Sequence, residues 1–369
     1  MSFIHNLVSW LSTLEHVIPI PGDTTQITEW LESAEDLIDD HLKTDDRYAM
    51  QILDAYVRQH MLRINKLSSV AAVSPEQITH MDELCTRPQI EQRTEAWYQQ
   101  MRSILGASEL EDIFGTPRVR ALLVMSKANP QPRPPQSLAV FSCRMSAFDW
   151  GIRFEPVVKQ IYEHIYGAKI KELGRLISAA DSRLTASPDG LVYSSTTGEK
   201  TGRLIEIKCP VTREPDGKIS KKYYTQMQSQ LFVTGIQTCD FVEAVFTSAY
   251  SADIHRCGPG QFYGEILLIE TILLQGVQYS YAYGPVNHPE EFIPENLQPN
   301  QAIVERIPWR LHSWHEQIVT ADPRWWAKVK PATELFWADV ESAKAGIFIV
   351  PESTRVKKEK NCLIVIKHN

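Results

Sequence analysis

The sequence predicts a mixed α/β (α+β) fold: a central mixed sheet flanked by helices, behind an N-terminal helical extension. Three observations predict it. Apolar residues recur at helical spacing before residue 70. Three strand-like segments crowd into residues 169–209. A helix-like stretch, residues 220–235, then leads directly into the strand-like run CDFVEAVFTS. Strands interleaved with helices build sheets that helices cover.

In chain order, ITEWLESAEDLIDDHL (residues 27–42) places Ile27, Trp30, Leu31, Ala34, Leu37, Ile38 and Leu42 at helical spacing. Residues 46–67 continue with a looser stripe through Met50, Leu53, Ala55, Val57, Met61 and Ile64. Asp45 or Asp46 suits the N-cap between them, because a short carboxylate accepts from the orphan N–H groups of a first turn. Residues 1–88 are therefore expected as a helical region and 89–369 as the main domain. Two roles stay open for the first part, a structural appendage or a docking module.

From about residue 92 the pattern changes. TEAWYQQMRSILGASELEDIF reads as a helix, a Gly-Ala-Ser turn and a second short helix, and NPQPRPPQS (129–137) as a proline-rich loop. Residues 145–167 read as a long amphipathic helix. Segments 169–177, 183–193 and 202–209 read as strands, and SKKYYTQMQSQLFVTG as a helix ending on Gly235. CDFVEAVFTS, FYGEILLIETILL and VQYSYAYG are further strands. Residues 322–346 form a late helical stretch that Pro331 is expected to break, and NCLIVIKHN is a closing strand.

Composition narrows the class. With 43% hydrophobic and 22% charged residues the chain has the make-up of a soluble globular protein, and no apolar run reaches the ~18 residues of a membrane span. The N-terminus lacks the basic flank of a secretory signal. Six cysteines occur without any CxxC, which argues against zinc, an iron–sulfur cluster or a disulfide framework and fits a reducing compartment. The net charge of −7 is uneven: residues 1–92 hold 15 acidic and 6 basic residues, the remainder 30 and 32. The larger part is thus near neutral, and overall charge does not exclude nucleic acid from it.

GRLIEIKCPV (202–211) holds the chemistry. It reads as a strand in which Leu204, Ile205 and Ile207 are apolar, yet Glu206 and Lys208 sit in its middle. Residues i and i+2 of a strand share a face, so the two charges emerge together. Upstream, Asp189 of LTASPDGLV would lie beside Glu206 if a turn near 194–200 closes a hairpin. Two converging carboxylates repel unless a cation sits between them, and oxygen ligands suggest Mg²⁺ or Mn²⁺ rather than zinc. Glu155, among Phe154, Val157 and Val158 on the long helix, is expected to face inward as a third carboxylate. Lys208 would hold, or help deprotonate, a metal-bound water.

The set RTEAWYQQMRSILGAS, WGIRFEP, SPDGLV, EIKCP and YYTQMQSQLFVTG, in that order between residues 93 and 235, resembles the PD-(D/E)xK nuclease superfamily. Within it, the set resembles the lambda-exonuclease-like (YqaJ-type) viral recombinase family. The resemblance implies a restriction-endonuclease-like core and a Mg²⁺-dependent exonuclease, with two ions about 4 Å apart. Such an enzyme digests linear double-stranded DNA 5′ to 3′ in recombination and repair, with a single-strand annealing protein as partner. It implies Asp189, Glu206, Glu155 and the Ile207 carbonyl as metal ligands. Lys208 would place the attacking water, and Gln226 would orient bound groups. Ser108 and Ser187 match positions that contact the 5′-phosphate; Arg102, Arg213 and Gln228 are further DNA-contact candidates. Arg102 stands one place later than the family's arginine, because Met101 holds that position, and Arg213 is likewise offset. The rivals are a same-fold nuclease of different polarity or substrate (an endonuclease or an RNA-degrading enzyme) and a non-catalytic DNA-binding scaffold. A trimer and a monomer both stay open. A phage or bacterial cytoplasm, or a host cytoplasm or nucleus for a large DNA virus, is the expected setting.

Overall fold

The computed structural model describes residues 73–88, 95–130, 145–196, 198–211, 213–248, 253–257, 261–288, 292–294 and 297–352. The expected helices at 27–67, most of the proline-rich loop and the strand NCLIVIKHN lie outside the described residues.

Helix α1 (Pro75–Thr86) starts where Ser74 caps it, the hydroxyl accepting from the Gln77 N–H at 3.2 Å, with Pro75 in the first turn where an N–H is not missed. It precedes the expected boundary at 88, and its Met81 and Leu84 are buried in the core built by the later elements. Helix α2 (Glu95–Met101), strand β1 (Leu105–Gly106) and a 3₁₀ turn (Leu110–Phe114) match the expected helix, turn and short helix. Helix α3 (Pro117–Ala128) has no counterpart in the sequence reading, although it carries the same start signal as α1, a capping Thr116 followed by Pro117.

Helix α4 (Ala147–Tyr166) is the long amphipathic helix. Ser146 and Asp149 close a reciprocal capping box at its start. There follow β2 (Ala168–Lys171), β3 (Leu176–Ile177), β4 (Leu184–Ala186), β5 (Gly190–Ser195), β6 (Leu204–Lys208), α5 (Lys221–Thr234) and β7 (Thr238–Ser248). Gly235 ends α5 with φ 76°, a left-handed cap that glycine adopts at least cost. The last elements are β8 (Tyr263–Leu273), β9 (Gly276–Tyr283), β10 (Gln301–Thr320) and α6 (Trp325–Lys344).

Seven strands form one mixed sheet in the order β2-β5-β6-β7-β10-β8-β9; β1, β4 and β3 form a smaller one. In the larger sheet β6 and β7 pair in parallel, joined by the α5 crossover, and the other neighbours are antiparallel. Helix α4 covers one face, packing Phe154, Val157, Val158, Ile161 and Tyr162 with Val192, Ile205, Ile207 and Val242. Met227 and Leu231 of α5 and Phe336 and Val340 of α6 share a second core with Leu191, Leu204 and Phe241. Each such fully buried apolar side chain contributes about 1.5–3 kcal/mol. The expected flanked mixed sheet is therefore what the chain forms.

The structure differs from the sequence reading in three further places, the first being that segments 169–177 and 183–193 each split between the two sheets, β2 and β5 in the larger and β3 and β4 in the smaller. Residues 301–320, left unassigned, form the 20-residue strand β10, which lies between β7 and β8. Register shifts at 303–305 and 311–313 break its alternation, so the period-2 signal slips out of phase. Pro331 lies inside α6 without ending it. The lost backbone bond is outweighed by the burial of Trp325, Val329, Phe336, Trp337 and Val340 along that helix.

A buried charge cluster ties the turn after β5 to its surroundings. Asp240, fully buried on β7, accepts from Tyr162 Oη at 2.5 Å, Lys200 Nζ at 2.9 Å and Arg203 at 3.0 Å. Lys200 also pairs with Glu316 of β10, which accepts from Tyr166 Oη at 2.7 Å. Burial and the neighbouring carboxylate of Asp240 push the Tyr162 hydroxyl far above the ordinary tyrosine range, so it remains a donor.

Candidate active site

Strand β6 presents the first groups. Its Ile205 and Ile207 pack toward α4, which leaves Leu204, Glu206 and Lys208 on the α5 side. Glu206 is 0% exposed. Its Oε1 takes the Lys208 ammonium and the Gln226 amide, the latter at 2.7 Å, while its Oε2 takes the Gln230 amide at 2.6 Å. Lys208 also stands over the Tyr223 ring, 5.0 Å from its centroid. Burial opposes its charge, but Glu206 and then Asp189 outweigh it and hold the ammonium above the ordinary lysine value. Lys208 is thus a hydrogen-bond donor at neutral pH.

The expected hairpin is present. Strands β5 and β6 pair antiparallel with Gly190 opposite Ile205. Asp189, one residue before β5, accepts from the Ile207 N–H at 2.6 Å. Gly190 is required by space, since a Cβ there would run into Ile170. Burial first, then the carboxylates of Glu206 and Glu155, push Asp189 well above the usual carboxylate range, against the pull of Lys208 and the Ile207 N–H. Glu155 comes from α4 and pairs with Lys159 one turn on at 2.8 Å.

One cleft of about 570 Å³ gathers these parts: Glu155, Asp189, Ile207, Lys208, Gln226, Ser108 and Arg213 all line it. Glu206 lies behind Lys208 and Gln226. Lys222 adds a second exposed cation. Arg213 binds Glu243, which is buried on β7 in register with Lys208, so the pair anchors one wall.

Three predicted contacts are not brought together with the others. Arg102 follows the end of α2, half-buried and outside the cleft lining. Ser187 is exposed and also outside it; its carbonyl accepts from Gln230 at 3.5 Å. Gln228 is buried elsewhere, donating to the Thr320 carbonyl at 2.7 Å and accepting from the Asp322 N–H at 2.8 Å. The reason is helical geometry: positions i and i+2 lie about 200° apart, so Gln226 and Gln228 cannot face one site. The i+4 partner, Gln230, does. That spacing was visible in YYTQMQSQLF, and the sequence reading missed it.

The donors present are hard oxygens, the carboxylates of Asp189, Glu206 and Glu155 and the Ile207 carbonyl. Cys209 also lines the cleft, but burial and then Glu155 and Asp189 push its thiol well up, which makes it a poor ligand. Among the described residues, no three His, Cys, Asp or Glu side chains stand as a ready-made coordination shell. Glu206 uses three of roughly four lone-pair positions on protein donors, which leaves one on Oε2. Crowded carboxylates with spare acceptor capacity suit a hard divalent cation.

A family model, the YqaJ-like viral recombinase domain, matches residues 96–237. An uncharacterized protein of Acanthamoeba polyphaga mimivirus is 28% identical over 178 residues, a stretch covering 45% of this chain and 31% of that protein. The chain thus spans less than a third of that curated relative. Among solved structures, an alkaline exonuclease from Laribacter hongkongensis aligns over 69% of this chain and 96% of its own at 21% identity, with a TM-score of 0.42. A phage-related exonuclease from Haemophilus somnus aligns over 66% and 96% at 11% identity, with a TM-score of 0.38.

Proposed function

From a chain that carries a YqaJ-like viral recombinase domain at residues 96–237, we infer a metal-dependent deoxyribonuclease, and specifically an exonuclease acting on linear double-stranded DNA in recombination or repair. The observation that carries this reading is the convergence of Asp189, Glu206 and Lys208 on one hairpin, with Glu155 across the same cleft. Asp189, Glu206, Glu155 and the Ile207 carbonyl are the residues that would hold Mg²⁺ or Mn²⁺. When bound, such an ion lowers the pKa of its water and offsets charge on the phosphodiester.

The remaining roles belong to the chain itself. Lys208, a permanent donor steadied by Glu206 and the Tyr223 face, orients the attacking water. Gln226 donates to Glu206 from the cleft wall and sets that carboxylate's direction. Arg213 and Lys222 offer cations to backbone phosphates, contacts that supply affinity with little sequence preference. Lys222 exchanges its exposed partner Asp112 for a phosphate oxygen, while Arg213 keeps the buried Glu243 and offers its remaining N–H groups.

The polarity we propose is 5′ to 3′, with single-strand annealing as the downstream step. One observation favours the rival of different end specificity: Arg102 and Ser187, two of the expected phosphate contacts, do not line the cleft. A time course on end-labelled linear duplex separates the readings. Mg²⁺-dependent loss of nucleotides that chelator abolishes supports the nuclease. Preference for 5′-phosphorylated over 5′-hydroxyl ends supports the polarity, and equal cutting of closed circles supports an endonuclease. A Lys208→Ala variant as active as wild type overturns the mechanism.

A further inference from the structure

We propose that Gln230 is a positioning residue for Glu206, the buried half of a two-amide clamp whose exposed half is Gln226. This inference rests on the nuclease reading above. Gln226 and Gln230 stand one turn apart on α5, so both side chains leave the same helix face. Each donates to a different oxygen of the same carboxylate, at 2.7 Å on Oε1 and 2.6 Å on Oε2. With both oxygens held, the plane of the carboxylate is set, and with it the direction in which the remaining lone pair points.

Gln230 does not line the cleft and is fully buried, so it touches neither substrate nor solvent. Its own Oε1 is buried with no hydrogen-bond partner among the described residues. A fully buried amide with one unsatisfied end is costly to keep, and such groups call for an explanation in function. Here the explanation is that the site needs an uncharged donor. A lysine at 230 would add a second cation beside Lys208 and cancel the negative charge that a metal ion needs. A glutamate would repel Glu206, and an apolar residue would leave Oε2 unpaired. Glutamine donates without changing the charge of the site. Partners of this kind, lying behind a ligand, commonly hold 10–100-fold of metal affinity or activity.

The test compares Gln230→Met with wild type and with Val340→Ala, a core truncation in α6 chosen to match its loss of thermal stability. Mn²⁺ binding is measured by calorimetry on the DNA-free protein, and kcat and KM on linear duplex. The expected result for Gln230→Met is at least tenfold weaker Mn²⁺ binding and at least tenfold lower kcat, with KM for DNA within threefold. Val340→Ala keeps the wild-type Mn²⁺ affinity and kcat. If Gln230→Met is not recovered folded, Gln230→Asn, which keeps an uncharged amide but falls one methylene short of the Glu206 Oε2, is read by the same criteria. A Gln230 variant with wild-type Mn²⁺ affinity and kcat overturns the clamp, as does an equal loss in Val340→Ala. A wild-type protein that neither binds Mn²⁺ nor cuts DNA removes the nuclease reading itself, a result distinct from a clamp that fails in an active enzyme.

Discussion

Replacing Lys208 with methionine removes the cation that stands beside the Glu206 and Asp189 carboxylates while keeping most of the side chain's bulk. Glu206 is then left 0% exposed and without its ion-pair partner, next to an Asp189 already driven upward by its neighbours. Breaking a buried pair from one side costs about 3–5 kcal/mol. Because 22% of the Lys208 side chain is exposed, roughly 2–4 kcal/mol is the fair expectation here. At about 1.5 °C per kcal/mol for a chain of this size, Tm should fall by roughly 3–6 °C in chelator. A divalent cation is the natural replacement for the missing charge, so Mn²⁺ should raise the Tm of Lys208→Met by more than it raises that of wild type. Activity should nevertheless stay at least 100-fold down, since the ion cannot orient its own water as the ammonium did. Scanning calorimetry with EDTA and with Mn²⁺, alongside the end-labelled duplex assay, reads both. A variant that melts within 2 °C of wild type in EDTA, or gains no more from Mn²⁺ than wild type does, would refute this account of the site.

Other consequences are tested as simply. Asp240→Asn breaks the ion pairs to Lys200 and Arg203, leaving Lys200–Glu316, and should cost about 3–5 kcal/mol, read as a lower urea midpoint; a shift too small to measure would mean the cluster is not a stabilising tie. Arg213→Ala should weaken duplex binding and lower the slope of log K against log salt by about 1, and an unchanged slope would remove Arg213 from the phosphate contacts. Gly264→Ala places a Cβ 2.7 Å from the Trp309 ring and should destabilise by about 1–3 kcal/mol of overpacking, seen as a lower Tm. Gln228→Ala should lower Tm by freeing the Asp322 N–H and the Thr320 carbonyl while leaving the salt dependence of DNA binding alone; a changed salt slope would return it to the DNA contacts.

Much of the site was legible because its chemistry is local. Glu206 and Lys208 share a strand face by the period of the strand, and Asp189 joins them through one antiparallel register, so short-range rules suffice. Glu155 was legible from its apolar neighbours on α4, and the structure puts it at the cleft, held by Lys159. The rest failed for identifiable reasons. Strand β10 hides behind two register shifts and the charged residues threaded through it. Gln228 fails as a DNA-contact candidate because it lies two residues from Gln226, and a helix brings i and i+4, not i and i+2, to one face. Gln230 went unseen because a glutamine in a helix ordinarily reads as solvated surface.

What the sequence determined by itself is the order and chemical type of the parts: a Pro-Asp-Gly turn, an apolar strand interrupted by Glu and Lys, helices before and after it, and no stretch apolar enough to span a membrane. These follow from backbone periodicity and side-chain chemistry, which act within a few residues. What only the tertiary structure decided is which groups meet. The α5 crossover sets Gln226 and Gln230 on Glu206, and register across β6 and β7 sets Glu243 beside Lys208, anchoring Arg213 at the cleft. Those contacts depend on how elements far apart in the chain bury their apolar faces against one another, and no local pattern encodes that distance.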